Sequence, residues 1–305
     1  MSTAPLCLLS VHAHPDDEAS KGAATVARYA AEGIRSVLVC CTGGEEGDIL
    51  NPAMDTPEVR ERLHEIRMDE LAKAADAIGY ETVVLLGYRD SGMPDSEANA
   101  RPDAFANAPA DEAIGRLVEI IRRERPQVIV TYPDDQQGYP HPDHLRVHDI
   151  SLPAFELAGD PSAYPGLGGE PWQPSKLYYS AWSRSRIQAT HEKMLELGLE
   201  SPYDEKWFDR PSMDHRITTR VDVADHYDAR RLGLLAHATQ IDPTSPFWFG
   251  LPPEIARTVY PYDDYILARS LVDTTPPEDD LFAGLRSAHA QVPVAGVDGR
   301  GTQAG

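Results

Sequence analysis

The sequence predicts an α/β fold: a Rossmann-like, mostly parallel sheet with helices on both faces and a less regular C-terminal half. Two observations carry that expectation. Through the first half of the chain, apolar runs of strand length alternate with amphipathic stretches of helix length, the order of a parallel sheet built from crossover units. The loops that follow the strands are glycine-rich or polar, on the edge where open α/β sheets bind their ligands.

Residues 6–11 form a short apolar run, the first strand. A helical pattern covers 19–31, a second strand 36–41 and a long amphipathic helix 57–78, whose carboxylates from Glu58 to Glu70 read as a solvated face. A strand at 82–86, a helix at 111–123 and a strand at 128–132 follow. All four strands are expected to be buried, as in a sheet covered on both faces. Residues 142–155 continue as a helix, with Pro142 in its first turn, where proline is tolerated. In the second half, 160–174 is a Gly- and Pro-rich excursion. Strands are expected at 176–180, 217–223 and 262–271, and helices at 186–197 and 226–238. Residues 1–287 are expected to form a single domain, and the Pro-, Gly- and Ala-rich 288–305 a disordered tail.

The formal charge, 28 − 49 = −21, argues against nucleic acid and anionic membranes, which need basic surface to offset phosphate. No apolar stretch approaches the roughly 18–20 residues that span a bilayer, and no basic segment with an apolar core opens the chain, so a cytoplasmic protein is expected. Cys7, Cys40 and Cys41 lie in strand-like stretches without Cys-x-x-Cys spacing. They give no disulfide framework and no thiolate metal site, and are expected to be small buried hydrophobes. Gly43-Gly44 lacks the spacing and the Lys-Ser/Thr of a phosphate loop and has acids beside it, so nucleotide binding is not expected.

Two motifs carry chemistry. His12-Ala13-His14-Pro15-Asp16-Asp17-Glu18 follows the first strand, and Tyr139-Pro140-His141-Pro142-Asp143-His144 follows the fourth. Two histidines and one carboxylate with an open position form a catalytic zinc set, and iron(II) uses the same ligand types. His14 and Asp17 are three residues apart and can converge on one ion as the chain enters a helix, leaving Asp16 to face a water. In the second motif one histidine completes the set and the other stays free to donate a proton or a hydrogen bond.

The pair of motifs resembles the PIG-L/LmbE-like zinc-dependent de-N-acetylases. Further stretches, among them Lys21-Gly22-Ala23-Ala24-Thr25, Asp90-Ser91-Gly92 and His237-Ala238-Thr239-Gln240, look most like the mycothiol S-conjugate amidase branch. The resemblance runs from about residue 6 to residue 285. It implies one Zn2+ per chain, or Fe2+ in its place, held by His14, Asp17 and His144. It implies Asp16 as general base and His141 as general acid and oxyanion donor, oriented by Asp143, with Tyr139 near the scissile carbonyl. Lys21, Asp48, Arg67, Asp90 and Met93 match positions around the sugar and inositol hydroxyls or the cysteinyl portion. The implied partner is a small thiol-sugar conjugate. The implied reaction is hydrolysis of mycothiol S-conjugates to glucosaminyl-inositol and an N-acetylcysteine S-conjugate, in detoxification. Deacetylation of N-acetylglucosaminyl-inositol in mycothiol biosynthesis and a related natural-product amidase are the alternatives. Lys21 is similar to the amidase branch, the deacetylase carrying serine there, whereas Glu46 in Gly44-Glu45-Glu46-Gly47-Asp48 is similar to the deacetylase branch.

Overall fold

The computed structural model describes residues 5–136 and 138–286. The tail expected at 288–305 lies outside the described residues. In chain order the elements are β1 (Cys7–His12), α1 (Asp17–Ser20), α2 (Ala23–Ala31), β2 (Arg35–Thr42), α3 (Pro57–Glu61), α4 (Leu63–Ile78), β3 (Thr82–Tyr88), α5 (Ala110–Glu124), β4 (Val128–Thr131), α6 (Pro142–Leu157) and β5 (Lys176–Ala181). There follow α7 (Arg184–Glu196), α8 (Glu205–Asp209), β6 (Thr219–Asp222), α9 (Tyr227–Ala236), α10 (Pro246–Phe249), α11 (Pro253–Val259) and β7 (Tyr262–Ser270).

The strands form one 7-stranded sheet in the order β3-β2-β1-β4-β5-β7-β6. Strands β1 to β5 pair in parallel, and β7 runs antiparallel between β5 and β6. This is the expected Rossmann-like sheet, extended by an antiparallel pair from the second half. Side chains alternate across each strand. Leu9, Val11, Ile129 and Leu177 face Leu117, Ile121, Val147 and Ile150 of α5 and α6. Leu8, Leu38, Cys40 and Val130 face Val26, Leu71, Ile78 and Leu234 of α2, α4 and α9. Both faces are covered, which is why the central strands are mostly apolar, with Ser10, His12 and Thr131 as buried polar exceptions. Cys7, Cys40 and Cys41 are buried and free. No described helix is long and apolar enough to cross a membrane.

Three expectations need correction. The helix at 19–31 is broken at Lys21-Gly22: Gly22 has φ 91°, and a Cβ there would stand 2.8 Å from the Tyr265 hydroxyl. The helix at 57–78 is interrupted at Arg62 (φ −112°, ψ 18°), and its acidic face is not all solvated. Glu70 is buried and accepts from the Thr239 backbone N–H (2.8 Å) and hydroxyl (2.6 Å). Strand β3 is not buried on both faces, since it is the outermost strand and leaves Val83 and Leu85 exposed.

The sheet also fixes where ligands bind. From β1 the chain builds outward to β2 and β3, and β4 then starts again on the other side of β1. Between β1 and β4 the order reverses, and such a reversal opens a crevice at the strands' carboxyl ends. Leu8 pairs with Val128 and Ser10 with Val130, so the two strands deliver their following loops side by side, about 4.8 Å apart.

Candidate active site

The turn leaving β1 is held in a costly conformation. Asp16 has φ 114°, a left-handed backbone that costs a non-glycine residue about 1–3 kcal/mol. Arg67, buried on α4, compensates. It donates to the Pro15 carbonyl (2.6 Å), to Asp16 Oδ2 (3.2 Å) and to the Gly44 carbonyl (2.7 Å). Glu18 Oε2 accepts the Asp16 N–H (2.9 Å), while its Oε1 meets His237 Nε2 (2.5 Å) at the end of α9. Gly44 (φ 67°) is glycine because a Cβ there would collide with the Arg67 guanidinium. The Gly43-Gly44 loop therefore makes room for a side chain rather than for a phosphate.

On this turn His14 and Asp17 meet His144, which α6 brings in from the end of β4. His14 Nδ1 and His144 Nε2 each lie 3.4 Å from Asp17 Oδ2. All three residues are buried, with donor atoms within 4.8 Å of one another. Donors about 2.0–2.1 Å from one zinc at tetrahedral angles stand about 3.4 Å apart, so this set fits that ion. The far nitrogen of His14 faces Asp143 Oδ2 (3.1 Å) and Asp90 Oδ1 (3.5 Å). Carboxylates behind a ligating imidazole fix its tautomer and orientation. Ser91 holds Asp143 in turn, through its N–H (2.9 Å) and its hydroxyl. Tyr132 stacks on His144 with ring centres 4.5 Å apart. A second donor group, His14, Asp90 and His141, reuses the nitrogen of His14 that faces Asp143, and forms the outer layer of the same site.

Charge divides these groups. Burial pushes Asp17 up, but Lys21, His144 and His14 outweigh it and hold the carboxyl well below the usual range. Burial pushes His14 down, and Asp143, Asp17 and Asp90 reverse this to hold it well above. His144 is lowered to about 4 by burial, against the pull of Asp17. Asp16 moves upward through burial, with Arg67 opposing; 29 % of its side chain is exposed, so water moderates the shift. Burial and the nearby His14 lower His141. His141 caps α6, its Nδ1 accepting the Asp143 N–H (3.2 Å). In the neutral ring this acceptor role places the remaining proton on Nε2.

The other expected site residues separate by depth. Lys21 forms an ion pair with Asp17 and lies 5.4 Å from the Tyr132 ring centre. Tyr139 and Met93 are exposed at the mouth, the Tyr139 hydroxyl 3.9 Å from Met93 Sδ and its ring centre 5.5 Å from that of His144. Asp48 is exposed, and its carbonyl accepts from Gln240 Nε2 (3.1 Å). Arg67 and Asp90, expected around substrate hydroxyls, are closed in behind the site. The Asp143 carboxylate faces His14 and Ser91, and only its N–H meets His141, because the capping turn of α6 points the side chain inward. Ser91, Tyr132, Glu18 and His237 were not singled out from the sequence. Ser91 lies in the Asp90-Ser91-Gly92 stretch, Glu18 in the first motif and His237 in the His237-Ala238-Thr239-Gln240 stretch, while Tyr132 ends an apolar run.

Residues 9–155 match the family model described as GlcNAc-PI de-N-acetylase, PIG-L. The chain is 46 % identical over 292 residues to a mycothiol S-conjugate amidase of Streptomyces coelicolor, covering 93 % of this chain and 99 % of that one. It is 41 % identical over 291 residues to a 1D-myo-inositol 2-acetamido-2-deoxy-alpha-D-glucopyranoside deacetylase of Geodermatophilus obscurus, covering 91 % and 97 %. Among solved structures, the N,N'-diacetylchitobiose deacetylase of Pyrococcus horikoshii shares the fold at TM-score 0.59 and 17 % identity, covering 86 % of this chain and 83 % of that one.

Proposed function

The chain belongs to the PIG-L family of GlcNAc-PI de-N-acetylases and is a hydrolase acting on an amide, and from that premise we propose that it cleaves mycothiol S-conjugates between glucosaminyl-inositol and the S-substituted N-acetylcysteine. His14, Asp17 and His144 are the residues that would hold the metal. A zinc ion held there supplies Lewis acidity, polarising the amide carbonyl and making water acidic near neutral pH. Asp16, next to Asp17 and steadied by Arg67, takes the proton from the attacking water. Its upward-shifted pKa brings it nearer the operating pH, where a general base is most effective. His141, kept neutral, presents Nε2–H to the developing oxyanion, a donor placed before the charge appears. The leaving glucosamine nitrogen then takes a proton either from the protonated Asp16 or from His141, the general acid that the resemblance implies. Asp143 and Asp90 hold His14 from behind, and Tyr139 flanks the entrance.

The observation that carries the chemistry is the convergence of two imidazoles on the Asp17 carboxylate with Asp16 beside it. Lys21, which resembles the amidase branch and lies beside Asp17, supports the conjugate as substrate. A second reading, deacetylation of N-acetylglucosaminyl-inositol, is favoured by Glu46, which the fold pairs with Arg89 (2.5 Å) on the loop beside the site. The test is hydrolysis of an S-conjugate and of the acetylated sugar by the metal-loaded, chelated and zinc-restored protein. Faster cleavage of the conjugate, lost on chelation and regained with zinc, is expected. A preference for the acetylated sugar supports the deacetylase instead.

A further inference from the structure

A cavity of about 80 Å³ lies between α7, α9, α10 and α11, away from the metal donors. Its rings include Trp182, Phe247 and Trp248, with Trp182 and Phe247 stacked at 5.9 Å. Its charge is unusual for this chain. The lining holds Arg186, Arg230 and Arg231 and no carboxylate, although the sequence has 49 acids against 28 basic residues. Arg186 is neutralised by Asp263 (2.8 Å). The side chains of Arg230 and Arg231 make no hydrogen bond or ion pair among the described residues, and the Arg230 guanidinium lies 5.5 Å from the Trp182 ring centre. Trp182 Nε1 is buried and has no hydrogen-bond partner among the described residues. Burial and the neighbouring Arg186 lower the pKa of Arg230 against the pull of Asp263, so an anion at the guanidinium would relieve both effects.

The cavity also lies on the working edge of the sheet. Trp182 follows β5, the strand beside β4, whose end leads to His141 and His144. A smaller crevice adjoins it through Trp182 and Arg186; Lys21, the residue paired with Asp17, also lines this crevice, and its carboxylates Asp263 and Asp264 are engaged by Arg186, Thr25, Ser183 and Tyr260. We propose that this cavity binds an aromatic group bearing a carboxylate, and that it takes the substituent end of the amide substrate, in which respect it rests on the function proposed above. The ring meets Trp182 and Phe247, and the carboxylate meets Arg230, a pairing of apolar walls with few polar groups that is usual for small-molecule sites. The cavity is about half the roughly 150 Å³ that encloses a benzene ring, so a single ring enters partway from the open side.

The test uses the metal-loaded full chain and N-acetyl-S-(4-carboxybenzyl)cysteine as probe, followed by tryptophan fluorescence and calorimetry, with N-acetyl-S-methylcysteine as control. Saturable binding of the aromatic probe is expected, weakened at least about tenfold by Arg230→Gln, the scale of a lost hydrogen bond to a charged group. Arg230→Lys, which keeps the charge, should retain most of it, and binding of the methyl control should be indifferent to both changes. Absence of saturation, or equal binding by wild type and Arg230→Gln, overturns the site. Competition between the probe and the amide substrate is also expected. Saturable binding without competition overturns the placement on the substrate's path and leaves the amide-hydrolase reading standing. A chain that cleaves no mycothiol conjugate defeats the proposed function, while the titration still decides the cavity.

Discussion

Replacing Arg67 with methionine tests how the fold sustains the Asp16 turn. Arg67 is 2 % exposed, and its guanidinium makes three polar contacts, to Pro15 O, Gly44 O and Asp16 Oδ2. Methionine fills much of the same volume and leaves all three acceptors without this donor. Hydrogen bonds from a charged group contribute about 1.5–3 kcal/mol each, and removing one partner of a buried charged set costs about 3–5 kcal/mol in total. Unfolding entropy of about 2.1 cal/mol/K per residue gives roughly 0.6 kcal/mol/K for a chain of 305 residues, so Tm should fall by about 5–8 °C. Turnover at neutral pH should fall roughly a hundredfold, the scale of a 1 Å misplacement of a catalytic group. The sign of the pH effect is fixed as well. Arg67 lowers the Asp16 pKa, so its loss raises that pKa, and a base that must be ionised then works only at higher pH. The acid limb of kcat/KM should therefore move to higher pH, while elemental analysis still finds one metal per chain, because no contact of Arg67 is with a donor atom. An acid limb that stays in place or moves lower, or loss of the metal with the arginine, would refute the reasoning.

Other outcomes follow from the same geometry. Asp16→Ala or His141→Ala should lower turnover by roughly a hundredfold or more with the metal retained; metal loss in either variant, by elemental analysis, would move that residue into the ligand set. Lys21→Ser should shift the ratio of kcat/KM values toward the acetylated sugar and away from the S-conjugate; an unchanged ratio would remove Lys21 as a determinant. The buried Glu18–His237 pair gives a stability prediction with a definite sign. Burial lowers His237, but Glu18 more than reverses this, so its contribution is complete below 6.5 and is lost as pH rises through the elevated folded value. Burial raises Glu18, but His237 outweighs it, so that contribution is present above 4.5 and is lost as pH falls through the depressed folded value. The Tm gap between wild type and His237→Gln should be widest between 4.5 and 6.5 and narrow as pH rises through the elevated His237 value; a gap that keeps growing with pH would contradict the pairing.

Local order made much of this site legible before the fold was known. His14 and Asp17 are three residues apart, and the turn after a strand forces such neighbours together. The same holds for the motif around His144, and apolar runs marked the strands that carry both. Residues whose role depends on distant contacts were not legible. His237 reaches Glu18 across 219 positions, a contact that exists only because α9 packs over α1. The apolar pattern of β3 marked it as a strand but not as the outermost one, since sequence order does not reveal sheet order. Arg67 was matched to a substrate-side position through the family resemblance alone, and nothing local in the sequence marked the glycine loop that closes over it. Asp143 sits in the expected motif, yet the capping turn at His141 aims its carboxylate at His14. The break at Gly22 depended on the closeness of Tyr265, a residue from the last strand.

Anomalous diffraction across the zinc absorption edge, from crystals grown with one equivalent of zinc, tests the central claim most directly. One zinc peak bounded by His14 Nδ1, Asp17 Oδ2 and His144 Nε2 is predicted, each about 2.0–2.2 Å away. Zinc ordered at any other place, with those three side chains bare, would contradict it.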